Sequence, residues 1–277
     1  MTQALFWALT ALAQPVLAAE TTIRWCEAPE VEPNDSAEDG RTLVFDAVNC
    51  GRFSSARDLE WFGFDQDGDE WLEVRAYGPS FGSSATPVLY LSGPDDLLAY
   101  QATGNGPREP WLVGPVSAGR YELLLSDNHQ GSSDQHLWKL TLSLVERPFT
   151  PTGWEAEPND TSADAVPLGD GALIAGTIGS ASDFDRYRID LPTDAGEYEV
   201  TVRYGSYGSA LAARVVLLDA DTEEVLESFP SDYVAGLTRL EGLTAANEKF
   251  VQVMSEDAQS GAFHWYTIEL TTVGGGS

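Results

Sequence analysis

Two short acidic segments carry the most pointed chemistry in this chain. Val31 to Ser36 reads Val-Glu-Pro-Asn-Asp-Ser, and Ala156 to Thr161 reads Ala-Glu-Pro-Asn-Asp-Thr. A further glutamate, Glu30 or Glu155, stands two residues before the first Glu of each. Glu30, Glu32, Asn34 and Asp35 thus crowd four oxygen-bearing side chains into six residues, as do Glu155, Glu157, Asn159 and Asp160. The proline fixes its own φ and pushes its predecessor into extended backbone, so neither segment is helical. Asn and Asp favour a turn in which side-chain oxygens curl back on the main chain. Such crowded oxygens repel one another unless a cation sits among them. Ca²⁺ takes about six to eight oxygens in flexible geometry, so a second segment has to complete the shell. The competing reading is a metal-free turn that simply opens a strand.

The repeat nominates that second segment. Glu30, Glu32, Pro33, Asn34 and Asp35 recur as Glu155, Glu157, Pro158, Asn159 and Asp160 at a spacing of 125 (155 − 30). The spacing holds without a gap through Leu43/Leu168, Gly51/Gly176, Ala56/Ala181, Asp58/Asp183, Phe62/Tyr187 and Asp65/Asp190. Asp58 and Asp183 each lie 23 residues after the motif Asp (58 − 35 and 183 − 160), in Arg-Asp-Leu-Glu-Trp-Phe and Ser-Asp-Phe-Asp-Arg-Tyr. A period this long means tandem domains rather than a solenoid. Within each unit the apolar period is two, as in Trp-Leu-Glu-Val-Arg-Ala-Tyr and Tyr-Glu-Val-Thr-Val-Arg-Tyr, with Gly, Asp, Asn and Ser clusters between runs. The expected fold is all-β: two tandem antiparallel β-sandwich domains of jelly-roll type. Pro148, Pro151 and Gly153 interrupt the strand pattern between them. Expected boundaries are 20–147 and 148–277, after a signal peptide at 1–19.

Glu-x-Glu-Pro-Asn-Asp, a small-residue stretch, Gly, and then Asp-x-Asp-x-aromatic leading into a strand resembles the bacterial pre-peptidase C-terminal domain. That family includes the collagen-binding domains of clostridial collagenases. The resemblance covers both units and implies a jelly-roll sandwich with one calcium ion between the opening segment and the acidic pair before the next strand. The implied ligands are Glu155, Glu157, Asn159, Asp160, Asp183 and Asp185 in the second unit. In the first they are Glu30, Glu32, Asn34, Asp35, Asp58 and Glu60, where Glu60 replaces the usual Asp. Collagen-binding relatives use a row of tyrosines on the strand that follows Gly-Arg-Tyr. Here Ser126, Asn128, Ser255 and Asp257 stand on the matching positions, which argues against collagen as the ligand.

Bulk composition narrows the partners. Fifteen Lys+Arg against 44 Asp+Glu give a net charge of −29, which repels nucleic acid and anionic membranes and favours divalent cations. With 43% hydrophobic and 10% aromatic residues the chain can still bury proper cores. Residues 4–13 form an apolar run, followed by Pro15 and then Val-Leu-Ala-Ala, an export signal cleaved before Ala19 or Glu20. The run is too short to cross a bilayer. Cys26 and Cys50, the two cysteines of the chain, are expected to form one intradomain disulfide in an oxidising compartment. Closing that loop stabilises by about 3 kcal/mol in the chain-entropy model.

Other constellations are weaker. Gly78 to Gly82 (Gly-Pro-Ser-Phe-Gly) matches a nucleophile elbow with Ser80 as nucleophile, but the chain runs on through Pro87 into a strand, which favours a turn. Asp65, Asp67 and Asp69 look like half a calcium loop without its closing Glu, so a hairpin turn is the better reading. His129, His136 and His264 are too scattered for zinc. Tyr77 and Phe81, answered by Tyr204 and Tyr207, are candidate ligand-contact aromatics, with core packing as the competing reading. Taken together, the sequence predicts a secreted, non-catalytic calcium-binding protein that binds an extracellular protein or polysaccharide. The alternatives are an accessory or processing domain pair of a secreted peptidase system, or a hydrolase using Ser80.

Overall fold

The computed structural model describes residues 26–94, 97–102, 109–190, 196–232, 235–244 and 249–273. The expected signal peptide and the terminal Gly-Gly-Gly-Ser lie outside them. Apart from two single-turn 3-10 segments, Pro79–Phe81 and Gly205–Tyr207, the regular structure of the described residues is strand. In chain order the first half carries β1 (Ala28–Pro29), β2 (Arg41–Thr42), β3 (Val48–Arg52), β4 (Leu59–Gln66) and β5 (Glu70–Tyr77). It continues with β6 (Pro87–Ser92), β7 (Leu97–Ala102), β8 (Trp111–Val116), β9 (Gly119–Asp127) and β10 (Leu137–Val145). The second half carries β11 (Gly153–Trp154), β12 (Val166–Leu168), β13 (Leu173–Thr177), β14 (Phe184–Ile189) and β15 (Glu197–Arg203). It ends with β16 (Ala213–Asp219), β17 (Val225–Phe229), β18 (Leu237–Thr244), β19 (Lys249–Ser255) and β20 (Trp265–Val273).

These strands build four five-stranded sheets. The first half has the orders β1-β3-β10-β5-β8 and β2-β4-β9-β6-β7, and the second repeats them as β11-β13-β20-β15-β18 and β12-β14-β19-β16-β17. Period-two patterning explains each layer, since alternate side chains point to opposite faces of a strand. In β5, Leu72, Val74 and Ala76 are buried while Trp71, Glu73, Arg75 and Tyr77 are not. The two sheets of each half share one core. Phe62, Phe64, Leu123 and Leu125 meet Leu72, Val74, Leu140 and Leu142 in the first, and Tyr187, Val251 and Val253 meet Val200, Val202 and Ile268 in the second.

The sheets are mixed rather than purely antiparallel. β1 pairs with β3 and β2 with β4 in parallel, as β11 does with β13 and β12 with β14; the other pairs are antiparallel. Each acidic segment is the connection from a short edge strand of one sheet to a short edge strand of the other. It therefore crosses the open side of its sandwich. The expected hairpin at Asp65 to Asp69 is corrected: β4 pairs with β9, whereas β5 pairs with β10 and β8. That turn carries the chain from sheet to sheet. Short spacing alone cannot distinguish such a corner from a hairpin. Cys26 and Cys50 are joined, with Cα atoms 5.8 Å apart, which pins the residue before β1 to β3. The second half has no such bond; there the Thr152 hydroxyl donates to Leu173 O and accepts from Leu173 N, both at 3.0 Å.

The halves are fastened by side chains from the turn before β20 and from the first residue of that strand. Phe263 is fully buried in the first core, and a Cβ on Gly114 would meet its ring at 2.5 Å. The Trp265 indole donates to Val113 O at 2.7 Å, while Val113 N donates to Gly208 O at 2.7 Å. Trp71, Phe149 and Trp265 pack edge to face or tilted around this joint. Phe263→Ala is expected to destabilise the first sandwich by about 3–5 kcal/mol through lost transfer energy and a cavity. Denaturant unfolding monitored by first-half amide signals checks this; an unchanged midpoint for the first half would contradict it.

Candidate metal centres

Where each acidic segment crosses the sandwich edge, it meets the start of the strand behind it. Glu30, Glu32 and Glu60 each offer an oxygen, and those atoms lie within 4.8 Å of one another; Glu155, Glu157 and Asp185 do the same in the second half. The Glu-Pro bonds within the two segments, Glu32–Pro33 and Glu157–Pro158, are both cis. In the first centre Glu30 Oε1 accepts from Arg52 N at 2.9 Å, and Glu32 Oε2 accepts from Asn34 N at 3.1 Å. Glu60, wholly buried in β4, accepts from Trp138 Nε1 at 3.0 Å and from Asn34 Nδ2 at 2.7 Å. In the second, Glu155 Oε1 accepts from Thr177 N at 2.5 Å, and Glu157 Oε2 accepts from Asn159 N at 3.1 Å. The Tyr266 hydroxyl lies 2.6 Å from Asp185 Oδ2, 3.1 Å from Glu155 Oε2 and, at the far side, reaches Tyr187 OH, which is 2.6 Å from it. With one proton to give, Tyr266 serves one of these acceptors at a time.

The remaining predicted ligands flank these triads. Asp35 Oδ1 accepts from Leu59 N at 3.3 Å and Asp160 Oδ1 from Phe184 N at 3.0 Å. Asp58 accepts from Ser54 N, and Asp183 from Gly179 N at 2.5 Å. Each aspartate thereby fastens its turn to the sandwich while adding negative charge beside the triad. Asn34 and Asn159 are fully buried.

Four buried oxygens at these centres have no hydrogen-bond donor: Glu30 Oε2 and Asn34 Oδ1 in the first, Asn159 Oδ1 and Asp185 Oδ1 in the second. An unpaired buried polar atom costs about 1–3 kcal/mol, more when it is charged. Burial pushes the Glu60 carboxyl up to about 9, with the Glu30 charge adding to the rise, and Glu30 itself up to about 7. Asp185 rises to about 9 by burial and the neighbouring Glu155, and Glu155 rises by burial. Glu32 and Glu157 are also raised, by burial first and then by Asp58 and Asp183 respectively. Only oxygen donors line the two sets, and carboxylates dominate them. That donor set fits a hard metal ion, which would take up the unpaired oxygens and hold the acids ionised.

Two glycines make room for this. A Cβ on Gly51 would fall 1.9 Å from Glu30 Oε2, and one on Gly176 would fall 2.5 Å from Glu155 Oε2 and 2.4 Å from the Tyr266 hydroxyl. The repeat exposed both glycines, but nothing in the sequence told that they clear space for a carboxylate. Nor does the sequence mark Trp138, Tyr187 and Tyr266 as donors to these acids. Their donor role depends on cross-strand register, in which Trp138 stands opposite Gly51 and Tyr266 opposite Gly176. The centres also differ from each other. The Arg41 guanidinium offsets part of the rise at Glu32, donating to Val31 O at 3.0 Å and to Pro33 O at 3.2 Å, whereas Val166 takes its place in the second half.

The other candidates do not assemble into a site. Ser80 is exposed in the 3-10 turn closed by left-handed Gly82, and its amide donates to Glu109; no strand-to-helix elbow is present. Asp65 pairs with Arg120 at 3.1 Å. His136 bonds Ser133 Oγ at 2.8 Å, whereas His264 is buried with neither ring nitrogen bonded, and burial pushes its pKa down to about 4. His129 is exposed. Among the aromatics, Tyr77, Phe81 and Tyr207 are half-buried, but Tyr204 is 1% exposed in the second core, which corrects its reading as a ligand contact. Register supplies the reason. Tyr77 stands opposite Lys139 and Arg203 opposite Thr267, so Tyr204 answers Gly78 and turns inward. The same register puts Ser126 opposite Leu59 and Met254 opposite Phe184, so Ser126 answers Met254 rather than Ser255.

No family model and no curated protein matches the chain. Among solved structures it is similar to the pre-peptidase C-terminal domain of collagenase from Bacillus anthracis, with 13% identity over 37% of this chain and 93% of that one, at a TM-score of 0.31. It is also similar to the CUB1-EGF-CUB2 domains of human MASP-1/3, with 6% identity over 77% and 93% of the two chains and a TM-score of 0.24. The tandem CBM22-1–CBM22-2 of Paenibacillus barcinonensis Xyn10C is 8% identical over 80% and 85%, with a TM-score of 0.22.

The raised carboxyls set the pH response of the metal-free protein. Between their ordinary values near 4 and folded values near 7 to 9, the folded state holds more protons than the unfolded one. Stability therefore falls as pH rises through that window. Calorimetry in excess chelator from pH 5 to 9 should show a falling melting temperature. A rise over that range would contradict the assignment. Gly176→Ala should weaken metal binding at the second centre about tenfold or more by displacing Glu155, read by titration calorimetry.

Proposed function

We propose that the protein is a secreted, non-catalytic, calcium-binding protein of two pre-peptidase C-terminal-type modules, residues 20–147 and 148–277. Their task is accessory: binding of an extracellular protein or polysaccharide. The observation that carries the calcium assignment is the set of four unpaired oxygens buried inside two acid triads. Ca²⁺ suits them because it accepts many oxygen ligands at irregular geometry. The ligand sets are Glu30, Glu32, Asn34, Asp35, Asp58 and Glu60, and Glu155, Glu157, Asn159, Asp160, Asp183 and Asp185, with one ion per module. The ion fixes the opening segment across the sandwich edge, so it acts as a clasp between the sheets rather than as a reagent. The disulfide supports an oxidising, extracytoplasmic setting. No helix among the described residues is long and apolar enough to cross a membrane.

An ion bound only by the folded state adds RT ln(1 + [L]/Kd), about 4 kcal/mol at a thousandfold excess over Kd. Excess EDTA should therefore lower the melting temperature, and calcium should restore it, with two ions per chain by mass spectrometry. Glu60→Gln and Asp185→Asn should abolish the calcium response of their own module. At pH 8 in EDTA the same variants should melt no lower than the parent, since each replaces an acid that the folded state must hold protonated at that pH by an amide that carries no such cost. A parent protein whose melt ignores EDTA would sink the assignment.

A further inference from the structure

Beside the joint between the halves lies a cleft of about 350 Å³, lined mainly by the first half. Trp71, Pro115 and Val116 of the first half give it an apolar wall, and Ala262 of the second half faces them. Asp69 and Glu70 stand at its rim, both exposed. Trp71 is half-buried and held edge-on by Phe149 and Trp265, each ring centroid 5.6 Å away. The aromatic ring is therefore already ordered before anything binds. Among the described residues neither Asp69 nor Glu70 makes an ion pair, and Arg120, at the neighbouring corner, is taken by Asp65. The cleft lining contains no basic residue, in a chain whose net charge is −29.

An apolar and aromatic wall beside two uncompensated carboxylates matches one side-chain chemistry well. The methylenes of an arginine or lysine lie along apolar surface while the cationic head needs a carboxylate and favours an aromatic face. We propose that this cleft seats an Arg or Lys side chain from a basic segment of an extracellular protein partner. The proposal rests on the accessory-binding reading above and supplies the site and ligand class that the reading lacks. It also uses Asp69, which the acidic run after β4 offered without a closing calcium ligand.

The test is calorimetric titration of the calcium-loaded full chain with a hexa-arginine peptide and with its lysine counterpart at physiological salt. Two variants of equal charge are compared: Asp69→Asn/Glu70→Gln at the cleft, and Glu227→Gln/Glu241→Gln on exposed strands of the second half. The cleft pair should weaken binding tenfold or more and the distant pair less than twofold. In the parent, the Trp71 indole N–H signal should shift on titration with N-acetyl-argininamide. Equal weakening by both pairs would show only the general field of an acidic protein and overturn the site. Undiminished binding by the cleft pair, or no binding by the parent, would overturn it as well. Binding of neutral xylohexaose that the cleft pair abolishes would make the cleft a sugar site and overturn the cationic occupant. None of these outcomes touches the chelator response, so the calcium clasp stands or falls separately.

Discussion

Carboxylates buried without a cation from the protein itself set the terms for both halves of this molecule. Glu60 and Asp185 lie wholly inside their sandwiches, and each faces another acid from the segment that crosses the sheet edge. Left ionised and dry, such groups would drive that segment away from the sandwich. The surrounding structure is arranged around this conflict. Backbone amides at Arg52 and Thr177 hold the first glutamates, glycines 51 and 176 make way for them, and an indole or phenol donates to the acid behind. What these donors leave unpaired is four buried oxygens, two at each centre.

The two centres reach this condition by different means. In the first, Arg41 leans on the crossing segment and a disulfide holds the chain just before it. In the second, Val166 replaces the arginine, two hydrogen bonds at Thr152 replace the disulfide, and a tyrosine pair replaces Phe62 and Trp138. The second segment also has a tie that the first lacks: just beyond it the Ser162 hydroxyl donates to Glu223 and accepts from Arg186, both at 2.7 Å, where the first half has Ala37.

Much of this was legible in the chain itself, because the repeat made each position testify twice. Glu30/Glu155, Glu32/Glu157 and the acids 23 residues beyond the motif stood out by identity and spacing. The two-residue pattern of β5 and β15 disclosed strands and their buried sides. Contacts that depend on how separate strands line up were not legible. Tyr204 looked like Tyr77 because both begin a Tyr-Gly pair, yet one residue more between β14 and β15 than between β4 and β5 moves it onto the inward side. The corner at Asp67 read as a hairpin because turn residues mark a change of direction without naming the sheet that follows. The sequence does not single out Trp265 and Phe263, since nothing local distinguishes a side chain that enters its own core from one that enters a neighbour's.

The placement of Phe263 also bears on the order in which the molecule can assemble. A ring from near the last strand completes a core whose other members lie between Leu43 and Leu142. As the chain emerges from its N-terminus, the first sandwich can form its sheets early, but it stays one aromatic ring short until more than a hundred further residues have followed. Contacts of such long sequence separation form late because loop-closure entropy opposes them. The repeat therefore does not make two independent folders. The second half finishes the first.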